Sequence, residues 1–472
     1  MGLKTRLEVI SKEDYTRIHE ASLKILEETG VVFQSTEALE IFKNHGVKVD
    51  GKTVYYSRKL VEDSLEKCPS TFKWKARNDD NSVTIGERLL FQPNSGPLFI
   101  QDLDNGRRLG KLEDYANIIK ICQNSDMVNL AGSFPVDPSD VNQDEKYLFM
   151  MYETLKHTDK PIVGFSAYGH QGRHMLDMVE IAMGRKGFMQ ENHCIGVGVN
   201  PTSPLKYSPE ACGTIIEYAK RNQVIFLSSA VMAGLSGPIH LIGTSVLHNV
   251  EVLAGIILAQ LINPENPVVY GAISTVAGMR KANFITGSPE TMLINIANLQ
   301  MGLNFYHLPI RALCGMTDAK TIDCQAGYET MQNMMMGMLG GAQIIGECLG
   351  VLDSIMTTSY EKIIIDLEML SRIVRIWEGI DTSDKALSVD IIQEVGHDGT
   401  YLTHPSTFEY CRDGWLPTVS DWELYEDWEK QGSKDVVTQA NNKYKEILMN
   451  APESLIDLDT DKDLKAYMSK VI

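Results

Sequence analysis

The side chains that could carry chemistry in this chain are mostly hydroxyls, amides and aromatic rings, and few of them titrate near neutral pH. They lie at or just beyond the expected ends of short apolar runs: Ser133, Phe134, Asp137, Ser166, Tyr168, Asn200, Thr202, Ser229, Met232, Ser274, Met279, Arg280, Thr317, Asp318, Lys320 and Glu347. No Ser-His-Asp order, phosphate-binding loop, HExxH motif or paired-carboxylate spacing accompanies them. Such a set suits a reaction in which no proton has to move.

Eight apolar runs, separated by helix-length segments, would have to position these side chains. The runs are Pro97–Gln101, Met127–Ser133, Pro161–Ser166, Cys194–Asn200, Val224–Ala230, Pro267–Ile273, Leu308–Leu313 and Ala342–Leu349. This alternation is typical of parallel strands joined by crossover helices. Eight such units predict an α/β fold, a closed (β/α)₈ TIM barrel, which would carry its site at the C-terminal ends of its strands.

The two ends of the chain lack this rhythm. Residues 1–92 predict an N-terminal helix-hairpin extension, because Ser11 and Asp14 form a capping box and two apolar runs flank Asp50-Gly51. Residues 93–380 would form the barrel. Residues 381–472 are interpreted as a C-terminal extension that wraps the barrel or contacts another subunit.

Composition excludes several classes of partner. The net charge of −18 disfavours nucleic acid and anionic membranes. The sequence has no uninterrupted apolar run long enough to span a bilayer, and its N-terminus lacks the pattern of a signal peptide. The eight cysteines form no CxxC pair. We therefore predict a cytoplasmic protein with reduced cysteines.

Several longer strings carry a resemblance. They are NVEVLAG (249–255), QLINP (260–264), PVVYG (267–271), LPIR (308–311), GMTDAK (315–320), DCQAGYE (323–329) and EKIIID (361–366). In this order they resemble the trimethylamine methyltransferase family, and the resemblance covers nearly the whole chain. It implies a barrel that moves a methyl group from an amine to the cobalt of a corrinoid (cobalamin) carried by a separate partner protein.

The resemblance also bears on the substrate. Members that use trimethylamine carry pyrrolysine within the barrel, whereas this chain contains only the twenty standard residues. Members without pyrrolysine act on quaternary amines such as glycine betaine, proline betaine or carnitine. We therefore expect a quaternary amine as substrate, a corrinoid protein as partner, no corrinoid held tightly by this chain, and a homo-oligomer.

Physical chemistry supports a quaternary amine. Its nitrogen is already positive, so attack by Co(I) expels a neutral tertiary amine and the site needs mainly to hold and align a cation. We predict substrate contacts from the aromatic side chains Phe134, Phe165, Tyr168 and Tyr270 and from the carboxylate-binding candidates Arg280, Arg311 and His240. Thr317, Asp318 and Glu347 are the predicted catalytic residues, and no metal site is predicted.

Alternative interpretations remain. Arg311 lies mid-strand, where an internal salt bridge is the more usual role, and Asp318 could cap the next helix. Cys314 and Cys348 could bind zinc in a thiolate-dependent methyltransferase, although a third ligand is hard to find. The chain could also be a non-catalytic barrel that binds a betaine or a corrinoid protein for sensing or delivery.

Overall fold

Eight short parallel strands form a closed barrel in the computed structural model, which describes residues 5–472. They are β1 Leu90–Phe91, β2 Ala131–Gly132, β3 Ile162–Gly164, β4 Ile195–Val199, β5 Val224–Ser229, β6 Val268–Ala272, β7 Ile310–Leu313 and β8 Ile344–Gly346. From β2 to β8 each strand pairs with the next one along the sequence, and β8 pairs with β1. Leu130 N donates to Phe91 O at 3.2 Å between β1 and β2, which closes the ring. The predicted α/β barrel is confirmed.

The predicted first strand was wrong. Phe99–Asp102 lies outside the barrel, in a four-stranded sheet with Gly106–Leu109, Thr357–Ser359 and Val351–Leu352. A turn after Asp102 folds this segment onto Gly106–Leu109, with the Asp102 carboxylate accepting from Asn105 N at 2.7 Å. A short apolar run does not show which sheet it will join. The true β1 lies N-terminal to the boundary expected at residue 93, and the other seven runs each contain a barrel strand.

One long helix follows each strand. The helices are α1 Leu112–Gln123, α2 Lys146–His157, α3 Gly169–Ala182, α4 Pro209–Lys220, α5 Leu241–Ile262, α6 Pro289–Gln300, α7 Cys324–Leu339 and α8 Tyr360–Glu378. Side-chain caps begin several of them, among which Ser208 and Ser288 each precede a proline at the first helical position. Helix α5 is long and apolar enough to cross a membrane, but 78% of its most apolar window is buried within the protein.

Large side chains plug the N-terminal end of the barrel. Trp74 enters from the extension and packs with Phe226 of β5, their rings 5.6 Å apart. A Cβ on Gly196 of β4 would lie 2.3 Å from the Trp74 ring, so that position requires glycine. Because this end is filled, the remaining interior space lies toward the C-terminal ends of the strands.

The N-terminal extension covers one side of the barrel. It consists of the helices Lys12–Glu28, Thr36–Asn44 and Arg58–Glu66, the strands Val31–Phe33, Lys48–Asp50, Thr53–Tyr55, Lys73–Trp74 and Val83–Thr84, and a 3₁₀ turn at Asp79–Asn81. The predicted capping box is present, since Ser11 and Asp14 cap the first helix reciprocally. The predicted hairpin is present in Lys48–Asp50 and Thr53–Tyr55.

The C-terminal extension has two parts. The helices Val436–Asn450 and Leu458–Val471 pack on the barrel, where Tyr444 stacks on Tyr360 of α8 with ring centroids 4.8 Å apart. The preceding short helices are Asp384–Leu387, Val389–Val395, Pro405–Tyr410 and Tyr425–Lys430. Within the described residues, these four helices bury none of their side chains.

Candidate active site

A cavity of about 370 Å³ opens at the C-terminal end of the barrel. Residues at or just beyond the ends of all eight strands contribute to its wall: Gln92, Ser95, Ser133, Phe134, Phe165, Ser166, Asn200, Ala230, Ile273, Leu313 and Glu347. Gly198, Phe226 and Arg311 line it from within the strands, and Phe284, Met316 and Ile355 line it from the loops. This is the position at which barrels of this class bind ligands.

Aromatic rings form one side of the cavity. Phe165 continues β3 on the same face as Val163, so its ring points into the barrel. Phe134 follows β2, and the two ring centroids lie 5.8 Å apart with the planes tilted by 32°. The Phe134 and Phe165 rings therefore offer π-faces to a bound cation.

A buried ion pair forms another part of the wall. Arg311 Nη2 lies 3.4 Å from Glu347 Oε1, and Arg311 Nε donates to Gln92 Oε1 at 2.8 Å. The guanidinium carbon also lies 5.3 Å from the centroid of the Phe226 ring. Both charged side chains are almost fully buried, at 6% and 2% exposure. Within residues 5–472, Arg311 and Glu347 are the two charged side chains that line the cavity.

Glu347 has a raised side-chain pKa and a left-handed backbone conformation. Burial raises the pKa of its carboxyl to about 7, while Arg311 and a hydrogen bond from Ser95 N act in the opposite direction. Ser95 N donates to Glu347 Oε2 at 2.5 Å. The backbone of Glu347 is left-handed with φ +53°, as is that of Ser133 with φ +64° across the cavity. Strained backbone of this kind occurs often at functional sites.

Gly346 makes room for the guanidinium. A Cβ at this position would lie 2.7 to 2.8 Å from Nη2, Cζ and Nε of Arg311. These distances are shorter than ordinary van der Waals contact. The position of Arg311 in the cavity therefore depends on the absence of a side chain on the neighbouring strand.

Four of the predicted site residues come together here: Phe134, Phe165, Arg311 and Glu347. The salt bridge that the sequence suggested for Arg311 is present, and it lies within the cavity. Sequence reasoning missed Gln92, Ser95 and Phe226. Gln92 and Ser95 were missed because β1 was misplaced, and Phe226 because it lies inside an apolar run.

Tyr270 lies outside the cavity. Along β6, Val269 belongs to the cluster inside the barrel, so the next side chain points outward to the helices. Tyr270 Oη donates to Asn249 Oδ1 at 3.0 Å, and the Tyr270 ring packs 5.5 Å from that of His248 on α5. The alternation of strand side chains explains why this predicted substrate contact is not brought to the site.

Three further candidates lie on the exterior. Tyr168 is 52% exposed at the start of α3, where its ring stacks on His170. His240 is exposed at the N-cap of α5. Arg280 is exposed in the turn of a hairpin formed by Thr275–Gly278 and Asn283–Ile285. That hairpin contributes Phe284 to the cavity wall, although Arg280 itself does not line it.

Thr317 and Asp318 bind other parts of the protein instead of lining the cavity. Thr317 Oγ1 donates to Glu329 Oε2 at 2.6 Å. The Asp318 carboxylate accepts from Gly287 N at 2.9 Å and from Ser354 Oγ at 2.5 Å, and it also accepts from Thr286 N and Oγ1. It thus joins three loops whose neighbouring residues Phe284, Met316 and Ile355 line the cavity. Helix α7 is capped by Asp323 instead.

The cysteines proposed as zinc ligands are poorly suited to that role. Burial raises the pKa of Cys314 to about 12 and also raises that of Cys348, so both thiols are stabilised in their protonated form. Cys348 Sγ lies 3.2 Å from the backbone oxygen of Gln92. Over residues 5–472, no group of three or more His, Cys, Asp or Glu side chains is arranged to hold a metal ion.

The fold resembles that of a solved methylamine enzyme. The crystal structure of the monomethylamine methyltransferase MtmB of Methanosarcina barkeri superposes with a TM-score of 0.53 at 12% sequence identity. The match covers 95% of this chain and 89% of that one. This likeness shows a shared fold.

Similarity in sequence is higher. The chain is 35% identical to the glycine betaine methyltransferase of Desulfitobacterium hafniense (strain Y51), over 99% of this chain and 98% of that protein. It is 33% identical to the proline betaine:corrinoid methyltransferase of Eubacterium limosum, over 86% of each, and 31% identical to the trimethylamine methyltransferase MttB of Methanosarcina thermophila, over 98% and 96%. A family model described as trimethylamine methyltransferase (MTTB) matches residues 3–471. The predicted resemblance is therefore confirmed, and the chain belongs to the trimethylamine methyltransferase family.

Proposed function

We propose that this protein is a methyltransferase that takes a methyl group from a quaternary amine and delivers it to the cobalt of a separate corrinoid protein. The observation that carries the proposal is the cavity itself, with phenylalanine rings and a buried arginine–glutamate pair at the C-terminal end of the barrel. The printed names of the glycine betaine and proline betaine relatives support the same class of substrate.

The aromatic wall would hold the cationic end of the substrate. A quaternary ammonium cannot donate a hydrogen bond, so it is recognised through cation–π attraction and shape. Phe134 and Phe165 supply the rings, and Phe226 lies deeper in the cavity. Arg311 would bind the carboxylate of a betaine as a charge-assisted donor. These contacts would fix the ammonium group so that one methyl group points toward the open mouth.

The corrinoid belongs to the partner protein and, when bound, supplies the Co(I) that accepts the methyl group. The cavity opens toward the loops at the strand ends, and the hairpin that carries Phe284 borders that mouth. We expect the partner to dock on these loops, because it must approach the methyl group there. The residues of this chain contribute alignment and exclusion of water.

The sparse acid–base chemistry of the cavity fits this reaction. The leaving group is a neutral tertiary amine, so its departure needs no general acid. Within residues 5–472, Glu347 supplies the carboxyl group of the cavity wall. We assign this group to substrate binding and not to donation of a proton. Thr317 and Asp318 would position the loops, since they lie outside the cavity wall.

Assembly and location complete the proposal. The segment 384–430, which contains the four short helices, leaves large apolar side chains exposed, including Phe408 at 83% and Leu402 at 82%. We propose that these side chains contact a second subunit in a homo-oligomer. Light scattering of the purified protein would measure its oligomeric state.

The cysteines bear on the location of the protein. Eight free cysteines, five of them buried, favour a reducing cytoplasm.

The test is anaerobic methylation of the Co(I) cognate corrinoid protein, followed by its visible spectrum. Glycine betaine, proline betaine, carnitine, γ-butyrobetaine and trimethylamine are offered separately. Methylation from a quaternary amine is the expected result. Methylation from trimethylamine alone would contradict the assigned substrate class. Binding of a betaine without any transfer would favour a sensing or delivery role.

A further inference from the structure

The arrangement of charges in the cavity bears on how the substrate is selected. Arg311 and Glu347 lie on adjacent strands, both buried, with their charged groups 3.4 Å apart. A buried ion pair costs desolvation free energy and stabilises a fold weakly. Here each partner also faces an open cavity. Two opposite charges, exposed side by side to a ligand, form a fixed dipole.

We propose that the Arg311–Glu347 pair selects a zwitterion, with Arg311 binding the substrate carboxylate and Glu347 lying beside the quaternary ammonium as its counter-ion. This inference rests on the proposed function and assigns the two charges to opposite ends of the substrate. A betaine lying antiparallel to the pair leaves the cavity with no unpaired charge. A ligand with only one charge would leave one member of the pair unmatched.

The neighbours of the two side chains set this orientation. Glu347 Oε2 accepts from Ser95 N, and residue 95 forms a backbone bridge to Phe134. The carboxylate is thereby connected to the aromatic side of the cavity, where the cation would lie. The Arg311 guanidinium instead contacts Gln92 and lies over Phe226. Because Arg311 would bind the carboxylate, the anionic end of the substrate would lie on the side of the cavity formed by Gln92 and Phe226.

The protonation state of Glu347 provides a readout that a purely structural pair would not give. Its pKa is raised to about 7, so a fraction of the molecules carry a proton there at neutral pH. The other titratable groups near the pair are the thiols of Cys314 and Cys348, and burial keeps both protonated. A cation placed beside Glu347 lowers the pKa of its carboxyl and releases that proton.

The first measurement is calorimetric titration of glycine betaine into the protein at pH 7, in buffers that differ in ionisation enthalpy. We expect release of a fraction of a proton per ligand, up to about one half. Release that disappears in Glu347→Gln supports the proposal. Uptake overturns the proposal, because it would mean that the substrate carboxylate takes Arg311 away and leaves Glu347 to protonate.

The second measurement compares ligands that differ in one charge. Choline keeps the ammonium but lacks the carboxylate, whereas 3,3-dimethylbutyrate keeps the carboxylate and replaces the ammonium by a neutral tert-butyl group. We expect the wild-type protein to bind glycine betaine at least about tenfold more tightly than either. Glu347→Gln should reduce the preference over 3,3-dimethylbutyrate, and Arg311→Met should reduce the preference over choline.

A matched control is available on the outside of the barrel. Arg173 and Glu217 form another Arg–Glu pair at 2.8 Å, between α3 and α4 and away from the cavity. Glu217→Gln should leave the ligand preferences unchanged. If Glu347→Gln also leaves them unchanged while glycine betaine still methylates the corrinoid protein, the charge assignment is wrong and the proposed function stands. If no quaternary amine supports transfer, the proposed function itself fails.

Discussion

Replacing Gly346 by alanine should separate the position of Arg311 from the stability of the barrel. The added Cβ would lie 2.7 to 2.8 Å from three guanidinium atoms, against about 3.5 Å for ordinary contact, so the guanidinium must move by about 0.7 Å or more. Its hydrogen bond to Gln92 at 2.8 Å and its contact with Glu347 at 3.4 Å cannot both survive that displacement.

The expected effect differs between binding and folding. Loss of a charge-assisted contact to the substrate carboxylate costs about 1.5–3 kcal/mol, which is roughly a 10- to 150-fold loss of affinity. The free energy of unfolding should fall by only about 1 kcal/mol, because the displaced group is the end of a flexible side chain and the backbone of Gly346 needs no positive φ.

The assay is the dissociation constant for glycine betaine by calorimetry, together with urea unfolding of the same variant. Gly327→Ala is the matched control, because Gly327 lies on α7 outside the cavity wall and a Cβ there meets no atom within 4 Å. We expect its affinity to stay within about threefold of the wild type. An unchanged affinity in Gly346→Ala, with the protein folded, would refute the role assigned to Arg311.

Three other perturbations have expected outcomes. Asp318→Asn should slow methyl transfer and lower the free energy of unfolding by about 1–3 kcal/mol, since the carboxylate joins three loops. The control is Asp353→Asn, a partly exposed carboxylate on the loop that carries Ser354. Equal effects of the two substitutions would argue against this role. Phe165→Leu should weaken choline binding by roughly 2- to 30-fold through lost cation–π attraction and affect 3,3-dimethylbutyrate less; equal losses would point to packing alone. The pKa of Glu347 is about 7 in the folded chain, against an ordinary 4.5. Between these two pH values the folded protein binds more protons at this site than the unfolded chain. The contribution of Glu347 to the free energy of unfolding therefore declines as pH rises from 4.5 to 7. The difference in unfolding free energy between wild type and Glu347→Gln, measured across that range, should change by up to about 3 kcal/mol, and a flat difference would exclude the raised pKa.

Strand periodicity and capping could be read from the sequence because they depend on neighbouring residues. Seven apolar runs each contain one of the eight barrel strands, and the helix that follows Ser11 begins where its capping residues indicated. The ends of those strands supplied Phe134, Phe165 and Glu347 as candidates, since a parallel barrel gathers such positions at one end. Local pattern thus determined the fold class and part of the cavity wall.

Only the tertiary structure decided which side chains share the cavity. Tyr270 faces outward because the adjacent side chain on β6, Val269, points into the barrel. The first barrel strand is Leu90–Phe91, and the predicted Phe99–Asp102 pairs in another sheet. The 3.4 Å approach of Arg311 to Glu347, and the room that Gly346 leaves for it, depend on the register of two strands. Register and burial also set the pKa of Glu347, because desolvation is a property of everything packed around a carboxyl group and not of its own sequence neighbours.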